Sequence, residues 1–389
     1  MINLNKFIKL IISVFFLLLY CFAFNSLRVK AEENLVIYGK SGIVIELDTG
    51  DILYDYNADE IKYPASTTKI MTLKLVFDAL KNGIIKKEQL LTTSEYASSM
   101  GGSQIYLSVG EQMSVVDLIK SVVIASANDA AVVLAEAISG STELFVKQMN
   151  QEAQRLNMKN TVYKNVTGLH QIGHITSAKD LSIIARELLI NYENEILPLS
   201  STYEDYLRQD TDKPFWLVNT NKLIKGSSGI DGLKTGWTNE AGYCLVATKK
   251  ENNMRLISVV MGADSPTHRN EDIIRLFNYA YANFDKQLIS PKGSIVQTNE
   301  DFLTKPSIYN IILTQDISRI IKKSSSGGVI TYELDINKEN ISGSSGTIIG
   351  KMHVYIDDKL YKSVDVELKE KVSKITFLDL LLSVLENIL

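Results

Sequence analysis

Cysteine is almost absent from this chain of 389 residues: there are two, and Cys21 falls inside an N-terminal apolar run. With Cys244 alone in the remainder, no internal disulfide framework is available. Stability has to come from a buried core, which a chain of this length can build. Cys244 sits in the apolar run 243–247 and reads as a small buried hydrophobe, not a nucleophile. A basic excess is missing as well. Lysine and arginine number 41 against 45 acidic residues, so no general attraction to nucleic acid is expected. Histidine is scarce, with four residues in all. His170 and His174 lie four apart, but Gly173 stands between them and the Glu of a metalloprotease helix is lacking, so no metal or cofactor is expected. His268 and His353 are far off in sequence, which leaves a Ser–His–Asp triad little support.

A long apolar run occurs at the N-terminus, where residues 10–24 follow the basic Lys6 and Lys9 and precede the small-residue site Val29-Lys30-Ala31. That layout is a secretory signal peptide over 1–31, the run being short for a bilayer span. Its removal takes four of the 41 basic residues (Lys6, Lys9, Arg28, Lys30) and none of the 45 acidic ones, leaving a net charge of −8. The chain is expected to be exported, to lie at the outer face of the cytoplasmic membrane or to be secreted.

Residues 32–286 read as one α/β (α+β) domain. Strands are expected over 35–38, 42–47 and 52–56, with a turn at Asp48-Thr49-Gly50-Asp51. Apolar residues at helical spacing mark 115–124, capped by Ser114, then 130–138, 142–157, 177–191 and 268–284. Strands over 242–248 and 255–262 complete a sheet shared by both ends of the domain. From 290 to 368 short strand-like runs (308–313, 329–334, 347–356, 361–368) separated by Ser/Gly-rich turns read as a small all-β domain without a chemical constellation. In 369–389, Ile375, Phe377, Leu378, Leu381, Leu382, Leu385 and Leu389 form a broad apolar face beside a narrow polar stripe. Lys369, Lys371 and Lys374 precede it, so an amphipathic helix lying in a membrane surface is expected, with packing on the β domain or an oligomer contact as the other use.

Three short patterns carry the chemistry. Ser66-Thr67-Thr68-Lys69 follows Pro64 at the start of an apolar-periodic helix, so a hydroxyl and an amine share one face. A serine hydroxyl is a poor nucleophile at neutral pH unless a base takes its proton, and a lysine whose pKa is lowered can do so. Ser126-Ala127-Asn128 lies at a break between two helices, and Lys234-Thr235-Gly236 at the edge of a strand. Each is weak alone; the three in this order are the set found in penicillin-binding proteins and class A β-lactamases.

The chain resembles the low-molecular-weight penicillin-binding proteins that act as serine D-alanyl-D-alanine carboxypeptidases. The likeness runs from about Asn34 to Phe284 through Pro64 to Thr72, Ser126 to Ala131 and Asp231 to Thr238. It implies a β-lactamase/transpeptidase-like catalytic fold, with the β domain and terminal amphipathic helix behind it. Ser66 would attack the carbonyl between two D-alanines and become an acyl-ester, Lys69 would accept its proton, and Ser126 would relay one to the leaving group. Asn128 would orient Lys69 and the substrate amide, Lys234 and Thr235 would hold the terminal carboxylate, and the backbone N–H groups of Ser66 and Trp237 would form the oxyanion hole. The partners implied are peptidoglycan stem peptides and β-lactams. Two positions depart from the pattern: Ala127 stands where Gly is frequent, and Trp237 where many relatives have His. Other activities on the same framework are an endopeptidase or transpeptidase, a non-catalytic wall scaffold, or a β-lactamase. For the last, Glu152-Ala153-Gln154-Arg155-Leu156-Asn157 has one residue too many for the usual water-activating motif.

Overall fold

The computed structural model describes residues 35–226, 228–325, 327–336, 341–376 and 379. The expected signal peptide lies outside them, as do residues 377–378 and 380–389 of the helix expected over 369–389; its described start, 369–376, is not helical, because Ser373–Lys374 pair as a short strand with Thr304–Lys305. Five antiparallel strands form the central sheet: β1 (Ser41–Glu46), β2 (Ile52–Tyr56), β3 (Ile230–Thr238), β4 (Gly242–Glu251) and β5 (Met254–Ala263), in the order β2-β1-β5-β4-β3. The two ends of the domain therefore do meet in one sheet, with β1 paired to β5. Both strands are buried on both faces, which explains their near-continuous apolar sequences. Residues 35–38 are not a strand. The N–H groups of Tyr38 and Gly39 donate to the Asp272 carboxylate (3.0 and 2.7 Å), so a side chain takes them in place of a sheet ladder.

Helices α1 (Lys69–Lys81), α2 (Val115–Ile124), α3 (Asn128–Ser139), α4 (Thr142–Arg155) and α5 (Ala178–Ser200) share a core with Ile43, Ile45, Ile257 and Val259. Helix α6 (Pro266–Asn283) packs on β4 and β5, burying Ile273, Leu276 and Phe277. The expected Ser114 cap is visible, its Oγ accepting from Asp117 N at 3.2 Å, and Gly140 closes α3 in the left-handed conformation. Helix α5 runs nine residues past its expected end at 191, through a kink at Tyr192 and with Pro198 inside it. Burial explains the extension, because Tyr192 stacks on Phe77 and the apolar face continues through Ile196.

The C-terminal region is β-rich. A five-stranded sheet is built from β7 (Ile295–Glu300), β8 (Ile308–Leu313), β10 (Ile330–Ile336), β11 (Ile348–Ile356) and β12 (Lys359–Leu368), over a small core of Ile311, Leu313, Met352, Val354, Val364 and Val366. β6 (Phe284–Ser290) pairs with β9 (Ile317–Lys322) beside it. β6, β7 and β9 were not expected. β6 follows α6 without a break, so helical spacing carries over into it, and the other two are short and polar at their edges. Among the described residues no helix is long and apolar enough to cross a membrane.

Candidate active site

The chain reaches the site through Tyr63-Pro64, makes a 3-10 turn at Ala65–Thr68, and only then enters α1. Ser66 thus lies in the turn ahead of the α-helix, one step earlier than the helical spacing suggests. Side chains three apart in a 3-10 turn eclipse, which brings Lys69 Nζ to 3.0 Å from Ser66 Oγ. Ala65 has φ +48, a strained value for a residue with a Cβ. Its surroundings hold it there. Thr67 Oγ1 donates to Pro64 O at 2.6 Å, and a Cβ built on Gly168 would lie 1.8 Å from Ala65 O. Gly236 of β3 approaches from the other side, where a Cβ would come within 3.0 Å of both Pro64 O and Ser66 N. Two glycines thus let a loop and an edge strand close on the turn.

Lys69 is fully buried. Its Nζ lies 2.6 Å from Asn128 Oδ1 and 2.6 Å from the carbonyl of Thr167, besides Ser66. None of these partners is a carboxylate. Burial, with the nearby Lys234 amine adding to it, drives the Lys69 pKa well below the usual lysine range, while Asp129 opposes the shift. A neutral amine here can donate two hydrogen bonds, to Asn128 and Thr167, and turn its lone pair toward the Ser66 hydroxyl.

Asn128 opens α3 two residues after Ser126, which sits in the left-handed region at φ +62. The Asn128 amide is fixed from behind, Nδ2 donating to Gly101 O at 2.6 Å and N donating to Ser103 O at 2.7 Å. The next carboxylate, Asp129, accepts from the N–H groups of Ile105 and Leu107 at 3.1 Å each, latching segment 101–107 to the start of α3. Ser126 Oγ is buried and has no hydrogen-bond partner, an arrangement that leaves its proton available to a bound molecule.

Lys234 and Thr235 lie on β3, an edge strand whose free side faces the turn. Lys234 is buried, donates to Thr235 O at 3.1 Å, and has no carboxylate within ion-pair distance among the described residues. Burial, assisted by the Arg269 guanidinium, lowers its pKa to about 7. Thr235 Oγ1 donates to Thr220 Oγ1 at 2.7 Å. Trp237, 53% exposed, lies tilted against Tyr243 at the mouth. Of the sequence-derived set, Ser66, Lys69 and Asn128 are joined in one hydrogen-bond chain. The Lys234 charge is felt at Lys69, and the glycine between Thr235 and Trp237 abuts the Ser66 amide.

Other groups carried no signal of this kind. Thr167 contributes a backbone carbonyl, which no residue type announces. Arg269 reaches Lys234 electrostatically from a distant helix. His174 belongs to the support of the turn: Lys164 N–H donates to its Nδ1 at 3.0 Å, so the proton is on Nε2, which donates to Thr68 Oγ1 at 2.8 Å. Burial pushes its pKa down to about 4 and keeps it neutral. His170 instead meets Tyr63 edge-on, with Nδ1 3.7 Å from Glu240. Glu152 is engaged by Lys74 and Arg155 on α4. Cys244 is buried, and burial pushes its thiol up to about 11.

Residues 28–265 match the model of peptidase family S11, the D-alanyl-D-alanine carboxypeptidases. The chain belongs to this family. D-alanyl-D-alanine carboxypeptidase DacF of Bacillus subtilis is 43% identical over 354 residues, 90% of each chain. Among solved structures, penicillin-binding protein 5 of Haemophilus influenzae superposes with a TM-score of 0.72 at 29% identity, covering 87% of this chain and 99% of that one. Penicillin-binding protein D2 of Listeria monocytogenes, solved in its ampicillin-bound form, is 31% identical with a TM-score of 0.57, covering 64% of this chain and all of that one. The fold is thus transpeptidase-like with a β-rich C-terminal domain, and the chain is a serine-type D-alanyl-D-alanine carboxypeptidase.

Proposed function

We propose that the chain trims the terminal D-alanine from peptidoglycan stem peptides through an acyl-ester on Ser66. Ser66 Oγ attacks the carbonyl carbon of the bond between the two D-alanines as its proton passes to neutral Lys69. The oxyanion that forms lies against the N–H groups of Ser66 and Trp237. Lys69 returns this proton through Ser126 to the departing amine, the C–N bond breaks, and D-alanine leaves. Water then attacks the ester, returns a proton to the Ser66 oxygen, and frees the shortened peptide. Lys234 and Thr235 hold the terminal carboxylate, and Asn128 orients Lys69 and the substrate amide.

One observation carries this assignment. Two amines are buried with no ion-pair partner among the described residues: one is 3.0 Å from a serine hydroxyl, and the other is on the strand that abuts the same serine. The first is made a base by that environment, and the second awaits an anion. A β-lactam presents a strained acyl group and a carboxylate to the same two amines, so it acylates Ser66. The protein works outside the cell, held at the membrane surface by its apolar C-terminal segment.

The test measures D-alanine released from a peptide ending in D-Ala-D-Ala, and the mass of the protein after penicillin treatment. The unsubstituted protein should release D-alanine and gain one long-lived penicillin adduct; Ser66→Ala should do neither. Rapid penicillin turnover would indicate a lactamase, and an unreactive parent protein would indicate a scaffold; either result refutes the assignment.

A further inference from the structure

The β-rich domain ends in an exposed apolar tip. Phe302 is 75% and Leu303 66% exposed, and Ile308 nearby is exposed as well. The tip is not a slack loop. Asp301 Oδ1 accepts from Leu303 N at 2.8 Å, Thr304 Oγ1 donates to Pro306 O at 2.9 Å, and Asp301 N donates to Ser307 O at 2.8 Å. A rigid turn therefore presents two large apolar side chains to solvent, which costs free energy unless something covers them.

The chain's last segment starts at this place. After β12, Lys369 N donates to Asn310 O at 3.0 Å, Ser373 pairs with Lys305, Lys374 pairs with Thr304, and Ile375 N donates to Leu303 O at 2.8 Å. Segment 369–375 thus runs alongside 310–303, and the chain reaches the tip at Ile375, two residues before the apolar sequence that begins at Phe377. Exposed Lys305 and Lys374 flank the tip, and exposed Lys369 and Lys371 lie further along the same segment. Glu300 beside the tip is exposed, and the other acids nearby are occupied. Asp301 caps the turn, Glu370 Oε1 accepts from Asn310 N at 2.6 Å, and Asp379 accepts from Thr376 and Lys305.

Resting on the membrane-surface reading above, we propose that the Phe302–Leu303 tip is a second insertion point, entering an anionic bilayer together with the C-terminal segment. An aromatic and an aliphatic side chain with lysines set back along the adjoining strand match the apolar-below, phosphate-above layering of a lipid surface. Two insertion points also fix the orientation of the β domain on the membrane, which a single helix leaves free to swivel.

The exported chain, residues 32–389, is tested against vesicles of phosphatidylcholine with 30% phosphatidylglycerol. Three forms are compared: unsubstituted, F302S/L303S, and the chain cut after Thr376. Penicillin acylation serves as the check that each is folded. The unsubstituted chain should bind, and F302S/L303S should partition on the order of 10- to 100-fold more weakly. The cut chain should be weaker still. Leu303→Cys carrying an NBD dye reads the tip directly, since Cys244 is buried and the expected signal peptide takes Cys21. Its emission should shift to the blue only when anionic vesicles are added. Unchanged binding by F302S/L303S, or emission already blue in buffer because the tail or a second copy covers the tip, overturns the tip proposal and leaves the anchor reading standing. Failure of the unsubstituted chain to bind removes both.

Discussion

Replacing Lys234 with methionine should make the protein more stable and less active at once. Burial lowers the Lys234 pKa from 10.5 to about 7. At about 1.4 kcal/mol per unit, holding the charged amine in the folded state costs roughly 5 kcal/mol relative to the unfolded chain. The sign follows from proton binding. Between pH 7 and 10.5 the unfolded chain binds this proton and the folded one does not, so stability rises with pH across that window. The full cost is present below pH 7. Methionine keeps the length and volume and removes the charge, though it leaves Thr235 O without its donor, a loss of about 1–3 kcal/mol. The net gain at pH 6 is about 2–4 kcal/mol, or roughly 3–6 °C in Tm for a body of this size. Thermal unfolding followed by near-UV circular dichroism at pH 6 and pH 10 reads both numbers. The Lys234→Met advantage should be large at pH 6 and gone or reversed at pH 10, while kcat/KM for a D-Ala-D-Ala peptide falls by roughly 30- to 1,000-fold. A variant that melts below the parent at pH 6, or an advantage independent of pH, would show that the amine is not an uncompensated buried charge. It would remove the physical basis for an anion site on this strand.

Other perturbations test separate parts of the argument. In the free enzyme Lys234 loses its proton near pH 7, so kcat/KM for carboxylate-ended peptides should fall above that pH. Lys234→Arg should move this alkaline limb upward, and a limb that stays in place refutes the assignment. Because the Lys234 charge helps keep Lys69 neutral, Lys234→Met should also shift the acid limb of penicillin acylation to higher pH; an unmoved limb denies the coupling. Gly168→Ala places a Cβ 1.8 Å from Ala65 O, so acylation should drop by two orders of magnitude or more. Gly110→Ala, also at positive φ but with nothing within 4 Å, should cost only about 1 kcal/mol of stability. His174, held neutral with a pKa near 4, should cost about 3 kcal/mol of stability as pH falls from 6.5 toward 4; His174→Gln should flatten that decline in denaturant titrations.

What could be read from the sequence, and what could not, divides along physical lines. Helices α1 to α4 and strands β4 and β5 announce themselves because each buries a periodic face, and period is a property of the string. The proposed catalytic set is legible for a related reason: a hydroxyl, an amide and two amines would do chemistry through side chains, and side-chain identity is what a sequence records. The parts that went unread are those in which the backbone or a remote charge acts. The 35–38 segment has strand-like residues, yet its N–H groups go to Asp272, more than two hundred positions away. Helix α5 passes Tyr192 because a pocket against Phe77 receives the ring. The strongest case is Lys69. Its lowered pKa depends on complete burial and on the Lys234 amine, neither of them visible in Ser-x-x-Lys. The motif supplies the amine proposed as base, but only the folded surroundings lower its pKa. The same division explains why the pattern alone is weak and the site is strong: a Ser-x-x-Lys on an exposed helix has the same letters and an ordinary, protonated lysine. Gly168 and Gly236 mark the boundary between the two kinds of information. Each looks like a turn or strand glycine in the string, and each is required because a second chain segment passes within a methyl's breadth of the nucleophile's turn.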